Sequence, residues 1–329
     1  MSTLQTCTSG SRPSHGAGVI AYETNTTRTI ISDGSSWHLY MPSLFSRANC
    51  AFSFRQIVPD YTGKCVKVRR SSDNGEVDIG FTSAGVLDQA ALLSHTGTGG
   101  SSAGYAVTWY DQGPHSMDAT QSTAAFQPAI VLSGAVVVSN SKPSLQFGGN
   151  YILYMPEWVT YRPDTQCWLS TAGAPTAGVV VCELTSVGVG TNQMAIWGTG
   201  ANANGYSNTY GDNIGIYGTS GAAHFHRTQA QGGALQLSDT AALSNTTQAI
   251  GWWNYDGTTM GISTNGGSEQ TTTATPNPWA YTKQTIGAGQ VPGADEFTGK
   301  ISELISYKVS RASEKTAILA NVNGFYETY

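Results

Sequence analysis

The side chains able to do chemistry are few and dispersed. Hydrolysis of a glycoside by paired carboxylates needs two of them roughly 5 to 9.5 Å apart across a cleft. The candidates are Asp73, Asp78, Asp111, Asp118, Glu183, Asp212, Asp256, Asp295 and Glu296. Asp73, Asp212 and Asp256 stand beside Gly or Asn, where a carboxylate bonds the turn backbone, and spacing nominates no pair. His224 and His226 flank Phe225, so on a strand they share a face and make half of a metal site. No carboxylate or cysteine stands within five residues of them, and no D-x-D cluster offers calcium ligands, so no metal is assigned. His15, His38, His95 and His115 are isolated. Cys7, Cys50, Cys65, Cys167 and Cys182 form no C-x-x-C pair, and the odd count favours free thiols in a reducing compartment. P-loop, dinucleotide, zinc-protease and G-x-S-x-G signatures are absent, so no cofactor and no catalytic residue is assigned.

The aromatic residues say more. Tyr206, Tyr210, Trp252, Trp253, Tyr255, Trp279 and Tyr281 lie in a stretch otherwise rich in Gly, Asn, Thr and Gln. A ring face takes the apolar C–H surface of a neutral sugar while amides and hydroxyls take its hydroxyl groups. The candidate carbohydrate site is therefore Tyr206, Tyr210, Asp212, Asn213, Trp253 and Trp279. In Gly251-Trp252-Trp253-Asn254 adjacent side chains point to opposite faces, which puts one Trp in the core. Residues 198–218 read as a long loop or hairpin able to touch a ligand.

Short β-branched and aromatic runs separated by Gly, Ser, Thr and Asn must position these groups. Residues 178–182, 214–217, 249–254 and 300–309 read as strands. The last alternates Ile301, Glu303, Ile305, Tyr307 and Val309 against Lys300, Ser302, Leu304, Ser306 and Lys308. Two segments read as helix: 87–95, and 313–326 with Ile318, Val322 and Phe325 on one face, Ser310 or Ser313 as cap and Glu314 in the first turn. Many strands and two short helices make a β-sandwich. Residues 1–17 read as a polar extended arm, 18–45 as a strand–turn–strand–turn–strand module with a turn at Asp33-Gly34, and 46–329 as the main domain. A meander this small needs a symmetry mate or a larger assembly to pack on.

Charged residues are only 11% of the 329, against roughly 25% in a typical soluble domain. With 40% hydrophobic content the chain is not of the disordered class. Its net charge is −5, and Lys64, Lys67, Arg69 and Arg70 alternate with apolar residues as on an exposed strand, which argues against nucleic acid. No run is long enough for a membrane helix, and no apolar segment follows a basic start.

Two stretches carry a family resemblance. Residues 52–81 hold Tyr61-Thr62-Gly63, Val68, Arg70, Asp73 and Asp78-Ile79, and residues 107–121 hold Tyr110-Asp111-Gln112 and Ala119-Thr120-Gln121. Together they resemble the catalytic domain of fungal-type α-L-arabinofuranosidase B and its relatives among bacteriophage structural proteins. Residues 299–307 with the last helix look like the closing strand and helix of concanavalin A-like domains. The resemblance implies an all-β, concanavalin A-like jelly-roll β-sandwich over about 46–329, beside a small N-terminal β-hairpin and arm.

The family's nucleophile, a Glu, falls at Gln193 or Met194, its acid falls at Gln290, and its Cys-Cys pair is reduced to Cys182. The expectation is a hydrolase scaffold that is not an enzyme. Asp111 and Gln112 are expected to tie down the following loop. Tyr22, Thr24, Thr26 or Thr27, Asp33, Gly34 and Trp37 are similar to a short hairpin of phage fibres and tail proteins.

These readings lead to a virion protein, assembled in the host cytoplasm and exposed on the particle. It would attach to other virion proteins through residues 1–45, form a homo-oligomer with a trimer favoured, and bind host cell-surface polysaccharide without nucleic acid or membrane insertion. A capsid decoration or tail scaffold protein without sugar binding is the alternative. A glycosidase using Glu183, Asp212 or Asp295 is the third reading.

Overall fold

A computed structural model describes residues 5–7, 11, 20–23, 28–32, 37–39, 44–45, 48–156, 175–185, 193–200, 213–219, 222–228, 236–273, 283–288 and 296–329. The chain divides into two compact units, Met1–Ser46 and Arg47–Tyr329.

The first unit is a four-stranded sheet of β1 (Gln5–Cys7), β2 (Ile20–Glu23), β3 (Arg28–Ser32) and β4 (Trp37–Leu39) in that order. β2, β3 and β4 form the expected antiparallel meander. Within the arm, Gln5–Cys7 is a strand lying parallel to β2 with Thr6 opposite Tyr22. An extended polar segment satisfies its own backbone groups and those of an open strand edge at once.

The second unit begins with β5 (Cys50–Ser53), β6 (Val66–Arg70), β7 (Glu76–Ile79), helix α1 (Gln89–Thr96), β8 (Gly104–Trp109), β9 (Ala119–Thr120) and β10 (Ala129–Leu132). Short pieces β11 (Ala135–Val136), β12 (Val138–Ser139), β13 (Lys142–Pro143), β14 (Leu145–Phe147) and β15 (Leu153–Tyr154) follow. The long strands are β16 (Thr176–Leu184), β17 (Gln193–Gly200), β18 (Asn213–Thr219), β19 (Ala222–Thr228), β20 (Gln236–Leu243) and β21 (Gln248–Tyr255). β22 (Thr259–Thr264), β23 (Gln270–Thr273), β24 (Lys283–Ile286), β25 (Gly299–Tyr307) and helix α2 (Lys315–Tyr326) close the chain.

Antiparallel pairing arranges these into two layers. One runs β23–β22–β21–β16–β25, with β5 and β14 side by side on the far edge of β25. The other runs β7–β6–β8–β9–β15–β24–β17–β18–β19–β20. β10 pairs with both β8 and β14 and so stitches the layers together. The molecule is an all-β sandwich of the jelly-roll kind, as the sequence indicates.

Aromatic rings fill the space between the layers. Trp109 stacks on Phe54 with centroids 5.1 Å apart, and Trp197 meets Trp253 edge-on at 6.1 Å. Two glycines make room for them. A Cβ at Gly178 would lie 2.0 Å from the Trp253 ring, and one at Gly251 would lie 2.5 Å from Phe225. Only glycine allows such approaches within a strand.

A second apolar layer lies on the other face of the first sheet. Register aligns Ala51, Ile305, Val179 and Trp252 in one row, and Ser53, Glu303, Val181 and Ile250 in the next. All eight are buried. Helix α2 covers them with Ile318, Leu319, Val322 and Tyr326. Tyr326 takes the inward place expected for Phe325, which is half-buried. No side chain caps the helix start; its C-terminus closes on Glu327 in the left-handed region, with φ 53°. The strict alternation expected of β25 is broken by a bulge, since Val181 pairs with Glu303 but Cys182 with Ile301. Ile301 and Leu304 therefore both face the sandwich interior, while Glu303 turns beneath α2.

Glu303 is fully buried and ion-paired. It accepts hydrogen bonds from Arg55 Nε (2.8 Å), Arg55 Nη2 (2.9 Å) and Ser53 Oγ (2.7 Å). Tyr326 Oη donates to the same carboxylate at 3.3 Å, and Arg55 Nη1 donates to Asn321 on α2 at 2.9 Å. The guanidinium also lies 5.0 Å from the Phe325 ring centroid. Burial opposes the charge on Arg55, but the carboxylate beside it prevails and raises its pKa above the ordinary value.

Removing one partner strands the other charge in an apolar setting. Glu303→Ala is expected to lower the unfolding free energy by about 3–5 kcal/mol. The double replacement Arg55→Met/Glu303→Leu, which removes both charges and keeps the volume, is expected to cost far less. Equilibrium urea unfolding of both variants measures this, and equal losses would contradict the account.

Candidate functional site

The strand ends decide which loops meet. Gly200 of β17 faces Lys283 of β24, Gly198 faces both Thr285 and Asn213, and Asn213 faces Thr228. The strand termini that bracket 201–212, and the one into which 274–282 runs, thus lie at one end of the second layer. Tyr206, Tyr210, Asp212 and Trp279 belong to those two segments and lie outside the described residues. Asn213 opens β18 at the same end, and its side chain is outside the description.

Trp253 requires correction. It is fully buried, packed against Trp197 and over Gly178, and so is Trp252 on the opposite face. Both belong to cores because the sheet carries a second apolar layer under α2, so neither presents a ring to a sugar.

Of the positions that the resemblance assigns to catalysis, Gln193 and Met194 fall at the other end of β17. Gln193 opens β17 opposite Tyr217, and Met194 packs half-buried against the core opposite Ile216. Gln290 and Asp295 lie outside the described residues. Cys182 is buried, and burial, reinforced by Glu183, pushes its thiol up to about 12. It is inert at neutral pH. Glu183 is buried and accepts from Lys300 Nζ at 2.7 Å.

The other carboxylates do the turn work expected of them. Asp73 accepts from Arg70 and from the Gly75 N–H, and Asp256 accepts from the N–H groups of Thr258 and Thr259. Asp111 accepts from the N–H groups of Ala51, Gly113 and Met117. Gln112 accepts from the Ile57 N–H and donates to the carbonyls of Ser53 and Arg55. These two residues do tie the loop to β5, as expected. Burial raises the Asp111 carboxyl to about 6 in spite of those three donors.

His224 and His226 share a face of β19, as their spacing requires. Ile214, Ile216, Ala223 and Phe225 belong to the interior core. The alternate residues Tyr217, His224 and His226 therefore occupy the opposite face of the sheet. His226 is 2% exposed, its Nδ1 pairs with Ser238 Oγ at 2.8 Å, and its ring lies 5.2 Å from that of Tyr217. Its Nε2 meets no hydrogen-bond partner among the described residues. Burial lowers the imidazole to about 4, so it is neutral. Sequence reasoning passed over Tyr217. The Ser-Gly dipeptide at 220–221 of the sequence was the available signal, because two residues between paired strands set Tyr217 directly opposite His224.

No family model matches the sequence, and no curated protein matches it. Among solved structures, an arabinofuranosidase complexed with arabinofuranosyl-α-1,2-xylobiose superposes with a TM-score of 0.61. A GH54 α-L-arabinofuranosidase soaked with 4-nitrophenyl α-L-arabinofuranoside gives 0.63, and one soaked with a cyclic sulfate inhibitor gives 0.61. Each is 14% identical and is matched over 84% of this chain and 62% of its own length. This chain thus spans less than two thirds of those proteins. The likeness establishes the fold. It also overturns the expectation that the chain is not an enzyme, because the structures that share its fold are glycoside hydrolases. That expectation rested on aligning Gln193, Met194 and Gln290 with single catalytic positions, and at 14% identity such an alignment does not exclude a carboxylate supplied from elsewhere.

The pH dependence of stability follows from the two perturbed groups. His226 protonates less readily folded than unfolded, so its contribution is lost as pH falls from about 6.5 to about 4. Asp111 has the opposite sign, and its contribution is lost as pH rises through about 6. The two slopes oppose each other in the wild type. His226→Gln removes one of them. Relative to wild type it should gain about 3 kcal/mol of unfolding free energy between pH 7 and pH 4. Urea unfolding at pH 7, 5.5 and 4 measures it, and parallel pH curves for the two proteins would contradict it.

Proposed function

We propose that this chain is a carbohydrate-active β-sandwich protein that binds a glycan polymer of a cell surface. The observation that carries this is the match of the fold, over 84% of the chain, to arabinofuranosidases that take arabinofuranosides. The aromatic and amide-rich composition of the sequence around Tyr206, Tyr210 and Trp279 supports it, since such side chains suit neutral sugars. Low charge density suits them too, because a neutral polymer gains nothing from a charged face.

The finer reading places the protein on a bacteriophage particle. Its support is the sequence resemblance of Tyr22, Asp33, Gly34 and Trp37 to fibre and tail hairpins, together with the separate compact unit Met1–Ser46. Through that unit the chain would join other virion proteins and further copies of itself, a trimer by analogy with fibres. Many copies on one particle raise avidity without any new contact.

The test incubates the full-length protein with immobilised arabinoxylan, arabinan, lipopolysaccharide and capsular polysaccharide, reading retained protein and released reducing sugar together. Retention on at least one polymer, reversed by the same polymer in solution, is expected. Release of sugar from a retained polymer would add hydrolysis to binding. No retention on any of them would overturn the proposal.

A further inference from the structure

The face of β18–β19 turned away from the sandwich interior carries two side chains in register, Tyr217 standing opposite His224, and the backbone of β17 runs alongside with Gln193 paired to Tyr217. Tyr217 and His224 are half-buried, with surface left to solvent. His224 Nδ1 pairs with the Ala241 carbonyl at 3.2 Å, so Nδ1 is the donor and Nε2 is left for a ligand. Behind the row, His226 packs its ring 5.2 Å from Tyr217 at an interplanar angle of 33° and is itself held by Ser238. β20 carries extra residues opposite this point, since His224 pairs with Ala242 but His226 with Ser238. A bulge of this kind re-aims side chains and recurs next to binding sites.

We propose that Tyr217 and His224 form a carbohydrate-binding platform on this outer face, with Tyr217 stacking on the C–H face of a neutral sugar ring and His224 accepting a hydroxyl hydrogen bond. The proposal rests on the carbohydrate reading above and assigns it a place distinct from the loop residues Tyr206, Tyr210, Asp212 and Trp279. Three neighbouring strands span roughly 10 Å, the length of a disaccharide unit, so an extended polymer can lie across them. His226 is a positioning residue. Buried and neutral beneath Tyr217, it fixes the plane of the ring without reaching the ligand. A platform of one aromatic and one imidazole binds a single site weakly, which suits display in many copies.

The experiment measures retention of full-length protein on the polysaccharide of the panel that holds wild type best, as a depletion isotherm. Tyr217→Ala should weaken binding about tenfold while Tyr217→Phe, which keeps the ring, stays near wild type. His224→Ala, a change at a partly exposed position, should weaken it about threefold with an unchanged urea midpoint. If wild type binds and both Tyr217→Ala and His224→Ala bind equally well, the platform is wrong while the carbohydrate reading stands. If wild type binds none of the polymers, both fall together.

Discussion

A buried guanidinium–carboxylate pair joins the beginning of the sandwich to its end. Arg55 follows the first strand of the domain, Glu303 sits in the last strand, and Tyr326 and Asn321 bring the terminal helix to the same point. Two desolvated charges are tolerated there because every carboxylate oxygen and every guanidinium nitrogen finds a partner. The pair also fixes register. A slip of one residue in β25 would turn Glu303 into the aromatic core and expose Leu304 to the helix. The bulge at Ser302 lets the strand serve the interior with Ile301 and Leu304 and the helix layer with Glu303 and Ile305.

That arrangement frees the second layer. The first layer is covered on both faces, by the other sheet and by α2, and its strands read as nearly continuous apolar runs. Among the described side chains of β17, β18 and β19, Ile196, Trp197, Ile214, Ile216, Ala223 and Phe225 belong to the inward core, and Tyr217 and His224 lie on the other face. Gly198 and Asn213 pair at one end of β17 and β18, and Gln193 and Met194 pair with Tyr217 and Ile216 at the other. The proposed platform of Tyr217 and His224 depends on the register of the β17–β19 hairpins.

Much of the fold was legible in the sequence. Runs such as 178–182 and 249–254 are β-branched or aromatic and bounded by turn formers, and they emerged as β16 and β21. The tethering role of Asp111 and Gln112 was legible through a resemblance, and the structure supplies its physical basis in seven hydrogen bonds to main chain. Other features depend on long-range contacts that no local pattern carries. Glu303 entered the sequence reading only as one position of the 300–309 alternation, because its partner Arg55 lies 248 residues away in the chain. Trp252 and Trp253 could not both be assigned to cores until α2 was known to cover the second face. The arm strand β1 pairs parallel to β2, a pairing that a polar sequence with no alternation does not announce.

The central claim is that β5, β25 and α2 are one cooperative unit held by the Arg55–Glu303 pair. Native-state hydrogen exchange measures it directly, since amides that open together share one opening free energy. The account predicts that the amides of Cys50–Ser53, Gly299–Tyr307 and the interior of Lys315–Tyr326 exchange only through an opening close to global unfolding. Exchange of the α2 amides at a free energy several kcal/mol lower than those of β25 would show that the helix frays from the sheet on its own. That result would contradict the account.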